Sequence, residues 1–129
     1  MSLAAKKILI VEDETPLRTA LADVFSHKNC TVLVAANGKD GLELALSEKP
    51  DIVLLDLIMP IMTGTEMMQE LRKDAWGAQV PIIILTNLSA NTPDQVRSML
   101  EGAPELYLIK SDWDIHDIEK KVEEVLHYT

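Results

Sequence analysis

The 129-residue chain has one cysteine, Cys30, so no internal disulfide can form and a reducing cytoplasm is the expected setting. His27, His116 and His127 are scattered and, with one cysteine, offer no zinc spacing. No apolar run approaches the roughly 18 residues of a membrane span, and no signal peptide opens the sequence. Positive charge is in short supply: 12 Lys plus Arg face 21 Asp plus Glu, for a net charge of −9. Such a surface repels phosphate backbones and anionic bilayers, so neither direct nucleic-acid binding nor membrane binding is expected. There are only 5 glycines. None lies in the turn Glu12-Asp13-Glu14-Thr15-Pro16 that follows the first apolar run. A dinucleotide or P-loop site needs glycine there to bring phosphates onto helix amides, and a flavin phosphate meets the same obstacle. No nucleophilic serine elbow and no Cys–His pair is present.

With 47% hydrophobic and 26% charged residues, the composition is that of one globular domain. Met1-Ser2-Leu3 reads as a leftover of cloning, which leaves residues 4–129 as the domain. Five short apolar runs follow: Ile8-Leu9-Ile10-Val11, Val32-Leu33-Val34-Ala35, Ile52-Val53-Leu54-Leu55, Ile82-Ile83-Ile84-Leu85 and Leu106-Tyr107-Leu108-Ile109. Unbroken rather than alternating apolarity predicts strands covered on both faces, as in a parallel sheet. The spacing leaves room for a crossover helix between each pair. Leu17, Ala20, Leu21, Val24 and Phe25 share a helical face, with Thr15 as the expected cap and Pro16 at the first helical position. Thr63-Gly64-Thr65-Glu66 reads as a capping box, and Thr92-Pro93-Asp94-Gln95 as another start ahead of Val96, Met99 and Leu100. Ile115, Ile118, Val122, Val125 and Leu126 stripe a last helix. The fold predicted is α/β, a doubly wound five-stranded parallel sheet in order 2-1-3-4-5 with five helices, flavodoxin-like.

Ligands of such sheets bind beyond the carboxyl ends of the strands, where the strand order reverses. The residues at those ends are Glu12, Asp13 and Glu14, then Asp56, then Thr86 and Asn87, then Lys110. Each alone is an ordinary loop or turn residue. Together they place several carboxylates, a hydroxyl and a cation on one edge. Clustered carboxylates raise one another's pKa unless a cation compensates. Hard oxygens in an open site suit Mg2+, which shares its shell with waters and phosphate oxygens. Lys110 then offers a second positive charge to an anion, and a carboxylate between two cations is a plausible nucleophile for phosphoryl transfer.

Glu12-Asp13-Glu14 after the first run, Pro50 to Pro60 around Asp56, Gly64, Leu85-Thr86, Gly102-Ala103 and Tyr107-Leu108-Ile109-Lys110 resemble, in order and spacing, the receiver domain of two-component response regulators. The resemblance runs from Lys7 to about Leu126. It implies Asp56 as phosphoacceptor, served by a histidine kinase, a histidine phosphotransfer protein or a small phosphodonor. It implies Mg2+ held by Asp13, Asp56 and the backbone carbonyl of Ile58, with Glu12 acting through water. Thr86 and Lys110 would contact the phosphoryl oxygens, helped by the amides of Leu57 and Asn87. Thr86 and Tyr107 would form the switch. The output face would be the fourth helix, fifth strand and fifth helix (Thr92–Gly102, Glu105–Ile109, Asp114–Tyr128), meeting a downstream protein or domain, and a phosphorylation-dependent dimer is compatible with it. The implied protein is a signalling phosphoacceptor rather than a conventional enzyme.

Three positions depart from the pattern. Ser111 stands where such domains carry a proline after the lysine, the turn Ser111-Asp112-Trp113-Asp114 is one residue longer, and Asn87 replaces a small residue. A cis bond before a non-proline residue costs about 2.5–4 kcal/mol, so the Lys110–Ser111 peptide is expected to be trans. Ile58, two residues past Asp56, offers no hydrogen bond to water and predicts a long-lived phosphoryl group. A receiver-like scaffold working without phosphorylation is the alternative, and the intact Asp13, Asp56, Thr86 and Lys110 speak against it. A metal-dependent phosphatase is the weaker alternative, because Ile58 occupies the place where such enzymes often carry a second acid.

Overall fold

The computed structural model describes residues 3–87, 101 and 103–128. Strands β1 (Lys7–Val11), β2 (Thr31–Ala35), β3 (Ile52–Asp56), β4 (Ile82–Thr86) and β5 (Leu106–Ile109) alternate with helices α1 (Thr15–Ser26), α2 (Gly38–Glu48) and α3 (Gly64–Arg72). After β5 come a short 3-10 turn (Lys110–Asp112) and helix α4 (Ile115–Tyr128). The helix predicted after Thr92 lies outside the described residues, so four of the five expected helices are seen. The sheet order is β2-β1-β3-β4-β5, all parallel, as the spacing of the apolar runs predicts.

Alternation along each strand divides the core in two. Leu9, Val11, Val53, Leu55, Ile82 and Ile84 pack with Met67, Met68 and Leu71 of α3. Ile8, Ile10, Ile52, Leu54, Ile83 and Leu85 pack with Leu21 and Phe25 of α1 and Ile118, Val122 and Leu126 of α4. Each fully buried aliphatic side chain contributes about 1.5–3 kcal/mol by leaving water. No helix among the described residues is long and apolar enough to cross a membrane.

Leu3 is only 2% exposed and joins the α1/α4 core, with Lys6 N donating to its carbonyl at 3.1 Å. Two local expectations need correction. The cap of α1 is Glu14, not Thr15, and no side chain caps it; Thr15 Oγ1 instead accepts from Arg18. Strand β2 is not covered on both faces, since it is a sheet edge and leaves Val34 45% exposed. The Thr63–Glu66 capping box is present: Thr63 Oγ1 accepts from Glu66 N at 3.2 Å, and Thr63 N donates to Glu66 Oε1 at 3.0 Å.

That box starts α3 directly against the end of β3. Gly64 N donates to the Leu57 carbonyl at 2.8 Å. A Cβ on Gly64 would lie 2.0 Å from the Asp56 carbonyl oxygen, so only glycine permits this approach. At the other end of α3, Arg72 Nη1 donates to the carbonyls of Gly77 (2.8 Å) and Val80 (2.6 Å), and Nη2 to that of Ala103 (3.2 Å). Gly64→Ala is expected to lower stability by about 3 kcal/mol, the upper range for steric overpacking. Urea unfolding checks this, and a midpoint equal to wild type would mean that α3 yields without effort.

Candidate functional site

The sheet order sets β3 between β1 and β4, so Asp56 ends the central strand with the acidic loop after β1 on one side and Thr86 on the other. These residues converge. Asp13, Glu14, Asp56, Ile58, Thr86 and Asn87 line a pocket of about 190 Å³. Glu12, Asp13 and Asp56 each bring a carboxylate oxygen within 4.8 Å of the others. Glu12 is 1% exposed, and its Oε2 accepts from Glu14 N at 3.1 Å.

Lys110 closes the group. Its Nζ lies 2.9 Å from Glu12 Oε1, 3.5 Å from Glu14 Oε2 and 3.5 Å from Asp56 Oδ2. Burial works against the ammonium, and the carboxylates of Glu12 and Asp56 more than offset it, so the Lys110 pKa lies above its usual value. Burial, then the charge of Glu12, push the Asp56 carboxyl up to about 7 despite Lys110. Burial also raises Glu12, against the pull of Lys110. One ammonium among four carboxylates leaves negative charge uncompensated in a small pocket. All the donors are hard oxygens, so the residues present fit a small divalent cation.

The Lys110–Ser111 peptide is trans, for no cis bond occurs among the described residues. The 3-10 turn over Lys110–Asp112 makes the bend. Trp113 then packs on the α1/α4 core, with Lys121 Nζ 5.4 Å from its ring centre. Ile58 is 44% exposed at the pocket wall, and its N–H lies 3.5 Å from Asp56 Oδ1. Thr86 is buried at the pocket. Tyr107 is not among the lining residues; it sits half-buried on β5 against the α2/α3 core, opposite Ile84. Of the expected output face, β5 and α4 are described, whereas residues 88–100 and 102 are not.

Two contributors have no expected role in the sequence. Glu14, one of the strand-end acids, meets Lys110. Arg18, outside the strand-end group, holds the loop carbonyls of Glu12 and Asp13. Its signal was a cation in the first turn of a helix, where the dipole disfavours one.

Residues 8–123 match the sequence model of a family described as the response regulator receiver domain. The chain belongs to this family. The receiver domain is 39% identical over 104 residues to protein PilH of Pseudomonas aeruginosa, covering 81% of this chain and 84% of PilH. It is 38% identical over 120 residues to response regulator ArlR of Staphylococcus saprophyticus, covering 93% of this chain but 52% of ArlR, so it spans about half of that relative. A solved CheY-like response regulator receiver domain protein from Methanospirillum hungatei shares the fold, with a TM-score of 0.86 at 24% identity over 97% of this chain and 96% of its own. Receiver domains of two-component systems serve generally as phosphorylation-dependent switches.

The raised Asp56 pKa has a stability consequence. The folded state holds this proton up to about pH 7, whereas an unfolded aspartate loses it near 3.8. Between those values the folded state binds more protons, so this group's contribution makes stability fall as pH rises. In chelator, Asp56→Asn is expected to melt on the order of 5 °C above wild type at pH 8. The gap should narrow towards pH 5, as followed by circular dichroism. A gap that stayed constant with pH would show that Asp56 does not titrate in this window.

Proposed function

We propose that this receiver domain takes a phosphoryl group onto Asp56 from a histidine kinase, a histidine phosphotransfer protein or a small phosphodonor, and that the transfer depends on Mg2+. The observation that carries the proposal is the meeting of Asp56 with Lys110, Glu12, Asp13 and Thr86 at one pocket. In the transfer, an Asp56 carboxylate oxygen forms the new P–O bond. The P–N bond of the phosphohistidine breaks, and the departing imidazole nitrogen takes up a proton from solvent. Glu12 (through a water), Asp13, Asp56 and the carbonyl of Ile58 would hold Mg2+, which supplies positive charge to the phosphoryl oxygens when bound.

The protein's own groups do the rest. Asp56 must be ionised to attack, and Lys110 beside it favours that state. Lys110 and the Thr86 hydroxyl are set to take phosphoryl oxygens, with the amides of Leu57 and Asn87 nearby in sequence. The transferred group adds charge and three acceptor oxygens at one spot. Thr86 then moves towards it, Tyr107 turns inward, and the population of the β5 and α4 face shifts. A downstream protein or domain, or a second copy of the chain, would read that face. We place this exchange in the cytoplasm, where Cys30 stays reduced.

Labelling by acetyl phosphate, with and without Mg2+, tests the proposal. Wild type should take up about one equivalent of acid-labile phosphate with Mg2+ only. Asp56→Asn should take up none, because its amide is nearly isosteric but is no nucleophile. Labelling of the variant would move the acceptor elsewhere, and no labelling of wild type would favour a scaffold working without phosphorylation. Aspartyl phosphate is lost to in-line attack by water, and Ile58 walls the pocket without a group to orient that water. Ile58→Asn is therefore expected to speed phosphate loss several-fold, up to about 10²-fold, measured after the donor is removed at fixed Mg2+. Equal or slower loss would assign control of the water to another residue.

A further inference from the structure

Arg18 stands in the first turn of α1, where the helix dipole opposes a cation. Its guanidinium turns back over the acidic loop. Nη1 donates to the carbonyl of Glu12 at 2.8 Å and, at 3.4 Å, to that of Asp13, while Nη2 donates to Thr15 Oγ1 at 3.3 Å. The backbone N–H of Arg18 donates to the Glu14 carbonyl at 2.9 Å. Among the described residues Arg18 forms no ion pair with Glu12, Asp13, Glu14 or Asp56, although these carboxylates gather beside the same loop. The guanidinium's hydrogen bonds go to carbonyl and hydroxyl oxygens, and none of them occupies a carboxylate.

The carbonyls it grips belong to the two loop residues whose carboxylates meet Asp56. A planar fork with one arm on both carbonyls and the other on Thr15 fixes two successive peptide planes. Those planes aim the side chains of Glu12 and Asp13. The loop needs this restraint: its adjacent carboxylates repel, and α1 starts without a side-chain cap.

We infer that Arg18 is a positioning residue for the metal, setting the Glu12–Asp13 backbone so that both carboxylates converge with Asp56 on a divalent cation. This rests on the proposed Mg2+ site and adds to it the residue that preorganises it. Partners that orient ligands from behind typically change metal affinity 10–100-fold when removed.

The sign of the effect separates this role from plain electrostatics. Removing a positive charge near a cation site tightens Mg2+ binding by Coulomb's law, whereas releasing the loop weakens it. Isothermal titration with Mg2+ alone, at pH 8 and 25 °C, reads the difference. Arg18→Met keeps the apolar stem and loses the fork, and its Kd should rise about tenfold. Arg18→Lys keeps the charge but cannot span the same acceptors, and its Kd should rise roughly threefold. Circular dichroism melts on the same samples confine the comparison to folded protein. A folded Arg18→Met variant with equal or tighter Mg2+ binding overturns the inference. If that variant does not fold, Arg18→Lys decides alone, and an unchanged Kd overturns it. Wild type that binds no Mg2+, or Asp56→Asn that binds it undiminished, would defeat the metal site and this inference with it. Loss of binding in Asp56→Asn with unchanged binding in Arg18→Met would defeat the inference only.

Discussion

The contact on which the site depends is that of Lys110 with Glu12 and Asp56. Three charged groups, all largely removed from water, are held at the ends of three different strands. Burying charge is unfavourable unless the partners are close and well oriented, and removing one partner strands the others. The fold meets that demand with a parallel sheet whose central strands are buried on both faces, which holds their ends in register. The imbalance at the end of the sheet is then a property of the rigid scaffold rather than of a flexible loop. Negative charge in excess is what fits the pocket to the divalent cation and phosphoryl group proposed for it.

Much of this was legible in the sequence because it is written in runs. Four unbroken aliphatic blocks and one carrying a tyrosine each became a strand, starting within a residue of the first apolar position. The polar residues just after those blocks became the pocket, because strand ends in such sheets share one edge. Strand β2 shows the limit of that logic. Its apolar run resembles the others, but position at the sheet edge is decided by order in space, and a run of letters carries no mark of it.

Residues that act through the backbone were harder to see. Gly64 is visible in the sequence as part of a pattern, but its physical task, admitting α3 to within contact of the Asp56 carbonyl, depends on a distance that no local spacing reveals. Arg18 gives its donors to carbonyl oxygens, which every residue possesses, so its partners leave no trace in side-chain types. Thr15 had the chemistry of a cap but sits one residue inside the helix, where its hydroxyl serves Arg18 instead. Leu3 belongs to a terminal tripeptide that reads as a leftover of cloning, and its packing on the α1/α4 core leaves no local signal in the sequence.

Arg72 ties three backbone carbonyls together at the amino-terminal edge of the sheet. By gripping the carbonyls of Gly77, Val80 and Ala103, it fastens the tail of α3 to the approach of β4 and to the segment that leads into β5. Both strands therefore start from an anchored base, and their far ends carry Thr86 and Lys110. One guanidinium thus supports the amino ends of the two strands that lead to Thr86 and Lys110, so loss of that single side chain would loosen both strands at once.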